Sequence, residues 1–193
     1  MVHAYSLKTA PLILRFYARC FLFPYEEMTY ELQHLFRQIE LLVDDEESMY
    51  WGHEILSVLN TFQGEDIQNL RAEYVFLFTG RDRPEPVCPM IAAEFSERFR
   101  IPYDSGVFID LLIDNGYQIG EEDAIDSIVN YLEYLALLHT QVNIEFKLEI
   151  DPENFHKYHV LPWIPQFCDI LFKSSNISFY RELGASLKRY LIS

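Results

Sequence analysis

The chain has 193 residues, half of them hydrophobic and 16% aromatic, with 15 basic against 30 acidic side chains and a formal net charge of −15. That apolar content fits a single domain over 1–193 with a sizeable core and excludes intrinsic disorder. The charge repels phosphate backbones, so nucleic acid is not an expected partner; it favours encounter with cationic partners, and it also serves solubility.

Apolar spacing is helical nearly everywhere and predicts an all-α, compact multi-helix bundle. Thr9 is placed to cap a first helix with Pro11 in its opening turn, and Leu12, Phe16, Arg19 and Cys20 share a face until Pro24 stops it. A second helix runs to about Val43, with Leu32, Leu35, Phe36, Ile39, Leu42 and Val43 as a buried stripe. After the acidic loop Asp44 to Glu47, Ser48 can cap a third helix that buries Trp51, Ile55, Val58, Leu59 and Phe62 and ends at Gly64. Asp66 can cap a fourth through Leu70, Tyr74, Leu77 and Phe78, ending at Gly80.

The prolines between Gly80 and Pro89 lack amide donors and restrict the residues before them, so this segment cannot stay helical and is the best hinge in the chain. Two short helices follow. From Asp123 to about Gln141, Ile125, Ile128, Val129, Leu132, Leu135, Ala136 and Leu138 mark the most hydrophobic helix, expected at the bundle centre with exposed carboxylates at its start. Val142 to Ile150 alternates at strand period without a comparable second strand, and is read as extended or irregular. Asp151-Pro152 starts another helix, and the chain closes with helices after Trp163 and Ser178.

No stretch approaches the roughly 20 apolar residues of a membrane-spanning helix, so no membrane insertion is expected. Met1 to Thr9 lacks the pattern of a secretory leader, from which a cytoplasmic location is expected. Cys20, Cys88 and Cys168 are odd in number and in no CxxC pair, which points to reduced thiols rather than a disulfide framework or a zinc site.

Nucleotide-binding, zinc-protease, serine-hydrolase and calcium-loop patterns are absent, which disfavours a nucleotide-dependent enzyme, and no cofactor is expected. His156 and His159 could share a helix face, but a third metal ligand is not in sight. Cys88, between prolines, could present an exposed thiol, yet no neighbour supplies a base, and a structural role is the better reading. Glu121, Glu122, Asp123 and Asp126 cluster where a helix start alone explains them.

Three segments resemble the TorD/DmsD/NarJ family of redox-enzyme maturation chaperones. Glu73-Tyr74-Val75-Phe76-Leu77-Phe78-Thr79-Gly80 and the proline-rich stretch after it resemble the family's EYxxLFxG helix end and PP(Y/W)ES loop. Asp126 to Tyr134, with Leu132-Glu133-Tyr134, matches the spacing of its DHxxxxLEF helix. His159 to Phe167 followed by Phe179-Tyr180 is similar to its HLxxWxPxF…FY terminus.

The resemblance implies an all-helical, non-catalytic cytoplasmic chaperone that binds the leader peptide, often a twin-arginine signal, and the catalytic subunit of a molybdopterin-containing oxidoreductase before export or assembly. Carried over by position, the loop proline falls on Pro89, the aromatic after it on Met90, the helix Asp on Asp126 and the helix His on Ser127; Ile91-Ala92 replace the loop's Glu-Ser. Glu122 and Glu133 are added as sources of negative charge for peptide binding. The hinge raises the expectation of a monomer or a domain-swapped dimer. A small carboxylate- or metal-dependent hydrolase using Glu121 to Asp126, and a permanent adaptor subunit of a reductase complex, are the rival readings; neither accounts for the three segments.

Overall fold

The computed structural model describes residues 8–81, 84–114, 124–141 and 150–193. Among them are ten α-helices: α1 (Ala10–Cys20), α2 (Met28–Leu42), α3 (Glu46–Gln63), α4 (Ile67–Tyr74), α5 (Ala92–Phe99), α6 (Gly106–Asp114), α7 (Ile128–Gln141), α8 (Pro152–Phe155), α9 (Ile164–Ser174) and α10 (Ser178–Ile192). No strand occurs among the described residues, and their one isolated bridge pairs Ile91 with Ser127. None of these helices is long and apolar enough to cross a membrane. The alternating segment expected to be extended lies outside the described residues, except for Ile150.

The bundle follows from where each helix is apolar. In α1, Ile13, Leu14, Phe16, Tyr17, Ala18 and Cys20 are all buried, so the helix is covered on most sides; α7 packs along it and α2 and α10 also touch it. Of the four residues read as sharing one face, Phe16 and Cys20 are buried, Leu12 is half-buried and Arg19 is exposed. α9 lies along α10, and α3 packs on the other flank of α10. Their interface is largely aromatic: Trp51 meets Tyr190 edge-on at 5.0 Å, and Phe62 meets Phe179 at 5.0 Å. Each ring sequestered in this way contributes about 1.5–3 kcal/mol. The buried Tyr17 hydroxyl is satisfied by Ser186 at 2.8 Å, which ties α1 to α10 across the core.

Several helix boundaries come from local chemistry. Asp66 caps α4 through its bond from the Gln68 amide (2.8 Å), and Asp151 caps α8 through the Asn154 amide (2.8 Å) with Pro152 at the first helical position. α3 starts earlier than Ser48. Asp45 is its cap, accepting from the Ser48 amide at 2.7 Å, while the Ser48 hydroxyl accepts from the Asp45 amide at 3.2 Å. Two residues able to cap lie three apart, and the reciprocal arrangement uses both. Thr9 occupies the cap position of α1 without a side-chain capping bond, so Pro11 in the first turn carries that start.

α4 runs on into a π-helical turn, Val75–Thr79, which ends at Gly80 with φ +62°. A Cβ on Gly80 would stand 2.8 Å from the Pro86 nitrogen and 2.9 Å from the Glu85 carbonyl carbon. The returning loop presses directly on the helix end, which only glycine permits. α7 starts at Ile128, later than the expected Asp123, because residues 124–127 form a turn that meets the loop before α5.

Candidate functional site

The proline-rich loop and the entry to α7 meet through main-chain bonds. The Ile128 amide donates to the Met90 carbonyl at 2.9 Å, and the Ala92 amide donates to the Asp126 carbonyl at 2.8 Å, framing the antiparallel Ile91–Ser127 bridge. The loop is anchored at its other end as well, where the Cys88 amide donates to the Leu77 carbonyl at 2.8 Å. Two of the three segments singled out in the sequence are thereby joined at one place in the fold.

Asp126 differs from its expectation. Its side chain is buried rather than exposed, and Oδ2 accepts from the Ala93 amide at 3.0 Å. Ala93 lies in the first turn of α5, whose own cap position, Ile91, offers no side-chain acceptor. The Asp126 carboxylate therefore caps α5 from across the junction, where it also complements that helix's positive end. Ser127 caps α7, its hydroxyl accepting from the Asn130 amide at 3.4 Å, and the Asn130 side chain donates back to the Ile125 carbonyl at 2.9 Å.

The other candidates divide. Pro89 is buried and Met90 half-buried, both at the junction. Glu133 turns to α1, where it faces Arg15 at 3.8 Å, outside that junction. Glu122 lies outside the described residues.

Beside the junction opens a cleft of about 540 Å³ lined by Pro84, Glu85, Pro86, Pro89 and, from α5, Glu94, Glu97 and Arg98. Arg98 donates to the Pro86 carbonyl, lies 3.7 Å from Glu85 and sits over the Phe99 ring at 5.5 Å, so one guanidinium fastens the loop to α5. Sequence reading missed Glu94, Glu97 and Arg98. The signal available was the pair Glu94 and Glu97, three apart on one face of a short amphipathic helix directly after the loop.

Chemistry of other kinds finds little footing. The Cys88 thiol is fully buried, 3.8 Å from the Phe167 carbonyl, and burial pushes its pKa well above the usual thiol range; the loop folds inward at this point, in keeping with a structural role for this thiol. Cys20 and Cys168 are likewise buried free thiols. The His159 ring stacks on Phe155 at 5.0 Å and meets the Tyr103 hydroxyl at 3.3 Å, and burial lowers its pKa. Its carbonyl accepts the Trp163 indole N–H at 3.1 Å, so this segment packs the core. Among the described residues, no group of three or more His, Cys, Asp or Glu side chains could hold a metal ion.

The described residues form an all-α bundle in which a proline-rich loop is clasped to the entry of α7. The sequence profile of the nitrate reductase delta subunit family matches residues 44–169, more than half the chain, and the chain belongs to this family of NarJ/TorD-type redox-enzyme maturation chaperones. The fold is similar to a crystal structure from Archaeoglobus fulgidus described as a candidate redox enzyme maturation protein, with a TM-score of 0.61 and 18% identity over 95% of this chain and 94% of that one. No curated protein matches the sequence.

Proposed function

We propose that this protein binds, in the cytoplasm, the leader peptide of a molybdopterin-containing oxidoreductase subunit and holds that subunit for maturation before export or assembly. The observation that carries this reading is the junction of the Pro89-Met90 loop with Asp126-Ser127, next to a cleft with three carboxylates. Glu85, Glu94 and Glu97 are exposed and can face the arginines of a leader, while the apolar loop and the half-buried Met90 offer a surface to its hydrophobic part. Asp126 acts as a positioning residue: by capping α5 it fixes the helix that carries Glu94 and Glu97.

Charge pairs at a solvent-open cleft give orientation and encounter rate more than large net affinity, and salt screens them. Titration with a fluorescent synthetic peptide bearing two adjacent arginines before an apolar run should therefore show affinity falling with added salt. The double substitution Glu94→Gln, Glu97→Gln should weaken binding about three- to tenfold and flatten that salt dependence. Asp126→Asn keeps a capping oxygen and should leave stability nearly unchanged, whereas Asp126→Ala should cost about 1 kcal/mol of stability and loosen peptide binding with it. Affinity indifferent both to salt and to the glutamate substitutions would rule out this arrangement.

A further inference from the structure

The α2–α3 hairpin carries a second surface, independent of the leader site. Residues 26–54 hold nine carboxylates against one basic side chain, Arg37, so −8 of the chain's −15 is concentrated on this stretch. Lys8 and Arg189 reach in to pair with Asp44 (2.9 Å) and Glu54 (2.6 Å), which leaves the hairpin strongly negative. Between the two helices runs a groove of about 240 Å³ lined by Phe36, Val43, Met49, Gly52 and Leu56, with Glu40 and His53 as its polar lining. Met49 is 48% exposed, and Leu41, at the end of α2, is 83% exposed.

Gly52 gives the groove its depth. It sits inside an 18-residue helix, where glycine costs about 1 kcal/mol relative to alanine. Packing does not require it, since a Cβ there would meet only Val43 Cγ2, at an ordinary 3.8 Å. The missing side chain leaves the groove floor open without serving the bundle.

An apolar groove in a strongly negative field fixes the chemistry of its occupant. Anionic lipid and nucleic acid are repelled by the same carboxylates. A basic amphipathic helix is matched on both counts, apolar side chains to the groove and lysines or arginines to the rim. We propose that the α2–α3 hairpin is a docking surface for a basic amphipathic helix of a partner protein.

The test uses the whole chain and a fluorescein-labelled Leu/Lys peptide of about five helical turns, apolar at i, i+3, i+4 and i+7. Wild type should bind it saturably. Gly52→Leu, which fills the groove, and Met49→Gln, which makes its exposed edge polar without adding charge or touching the core, should each weaken binding about threefold or more, with the unfolding midpoint unchanged for Met49→Gln. Glu40→Lys should weaken binding several times more than Glu153→Lys, the same change of charge on exposed Glu153 of α8. The proposal is overturned if wild type shows no saturable binding, if Met49→Gln binds as wild type does, or if Glu40→Lys and Glu153→Lys lose affinity equally, which would reduce the attraction to diffuse charge.

Discussion

Glu73→Ala is expected to lower the stability of the fold by about 3 kcal/mol, among the largest effects available to a single side chain in this molecule. Glu73 is buried at the end of α4, and its Oε1 accepts from the Asn176 amide (2.5 Å) and the Ser175 hydroxyl (3.0 Å), while Oε2 accepts from the Asn176 side chain (3.2 Å). One carboxylate thus satisfies the connector between α9 and α10, about a hundred positions away in the chain. Alanine leaves those donors without their acceptor in a place water reaches poorly, and an unmade buried bond costs more than a made one contributes. Glu73→Gln keeps one oxygen and should lose about half as much. Urea unfolding followed by circular dichroism measures both; a midpoint for Glu73→Ala within error of wild type would show that water replaces the carboxylate at no cost.

Gly184→Leu is the second large effect, expected at about 3 kcal/mol or more. Gly184 lies where α10 comes nearest α9: a Cβ would stand 2.9 Å from the Cys168 carbonyl oxygen and 3.4 Å from the Phe172 nitrogen, both backbone atoms of the facing helix. They cannot rotate aside, so α9 and α10 must separate. Gly184→Ala sets the same contact against a helix-propensity gain of about 1 kcal/mol and should come out mildly destabilising. Thermal unfolding of both variants checks the order; an alanine variant more stable than wild type would show that the helices have room to part.

Much of this fold is legible from residue order. All five positions expected to be buried in α3, and Leu70, Tyr74, Leu77 and Phe78 in the segment from α4 to Gly80, are buried, because each of those helices presses a single stripe against the bundle. α2 reads just as cleanly in sequence yet buries Leu32 and Ile39 while leaving Leu35 and Phe36 half-buried and Leu42 exposed. Periodicity identifies an apolar face; it does not reveal how much of that face a neighbour covers.

The candidate site was legible by segment and not by role. Pro89, Met90, Asp126 and Ser127 lie at one junction, but that Asp126 caps α5 depends on a contact with Ala93, 33 positions away, which no local pattern encodes. The prolines flanking Cys88 leave its burial undecided in the sequence; it is fixed by the loop returning into the core once Gly80 lets it turn. Glu133 shares its segment with Asp126 but pairs with Arg15 of α1.

The central claim is tested most directly by capturing partners of the tagged protein from native lysate at low salt and identifying them by mass spectrometry, with the Glu94→Gln, Glu97→Gln variant in parallel. Capture of a molybdenum-enzyme catalytic subunit that still carries its leader, lost in the variant, is the predicted result. Retention of no such subunit by the wild-type protein would contradict the account, as would a subunit held equally by both forms in a permanent stoichiometric complex.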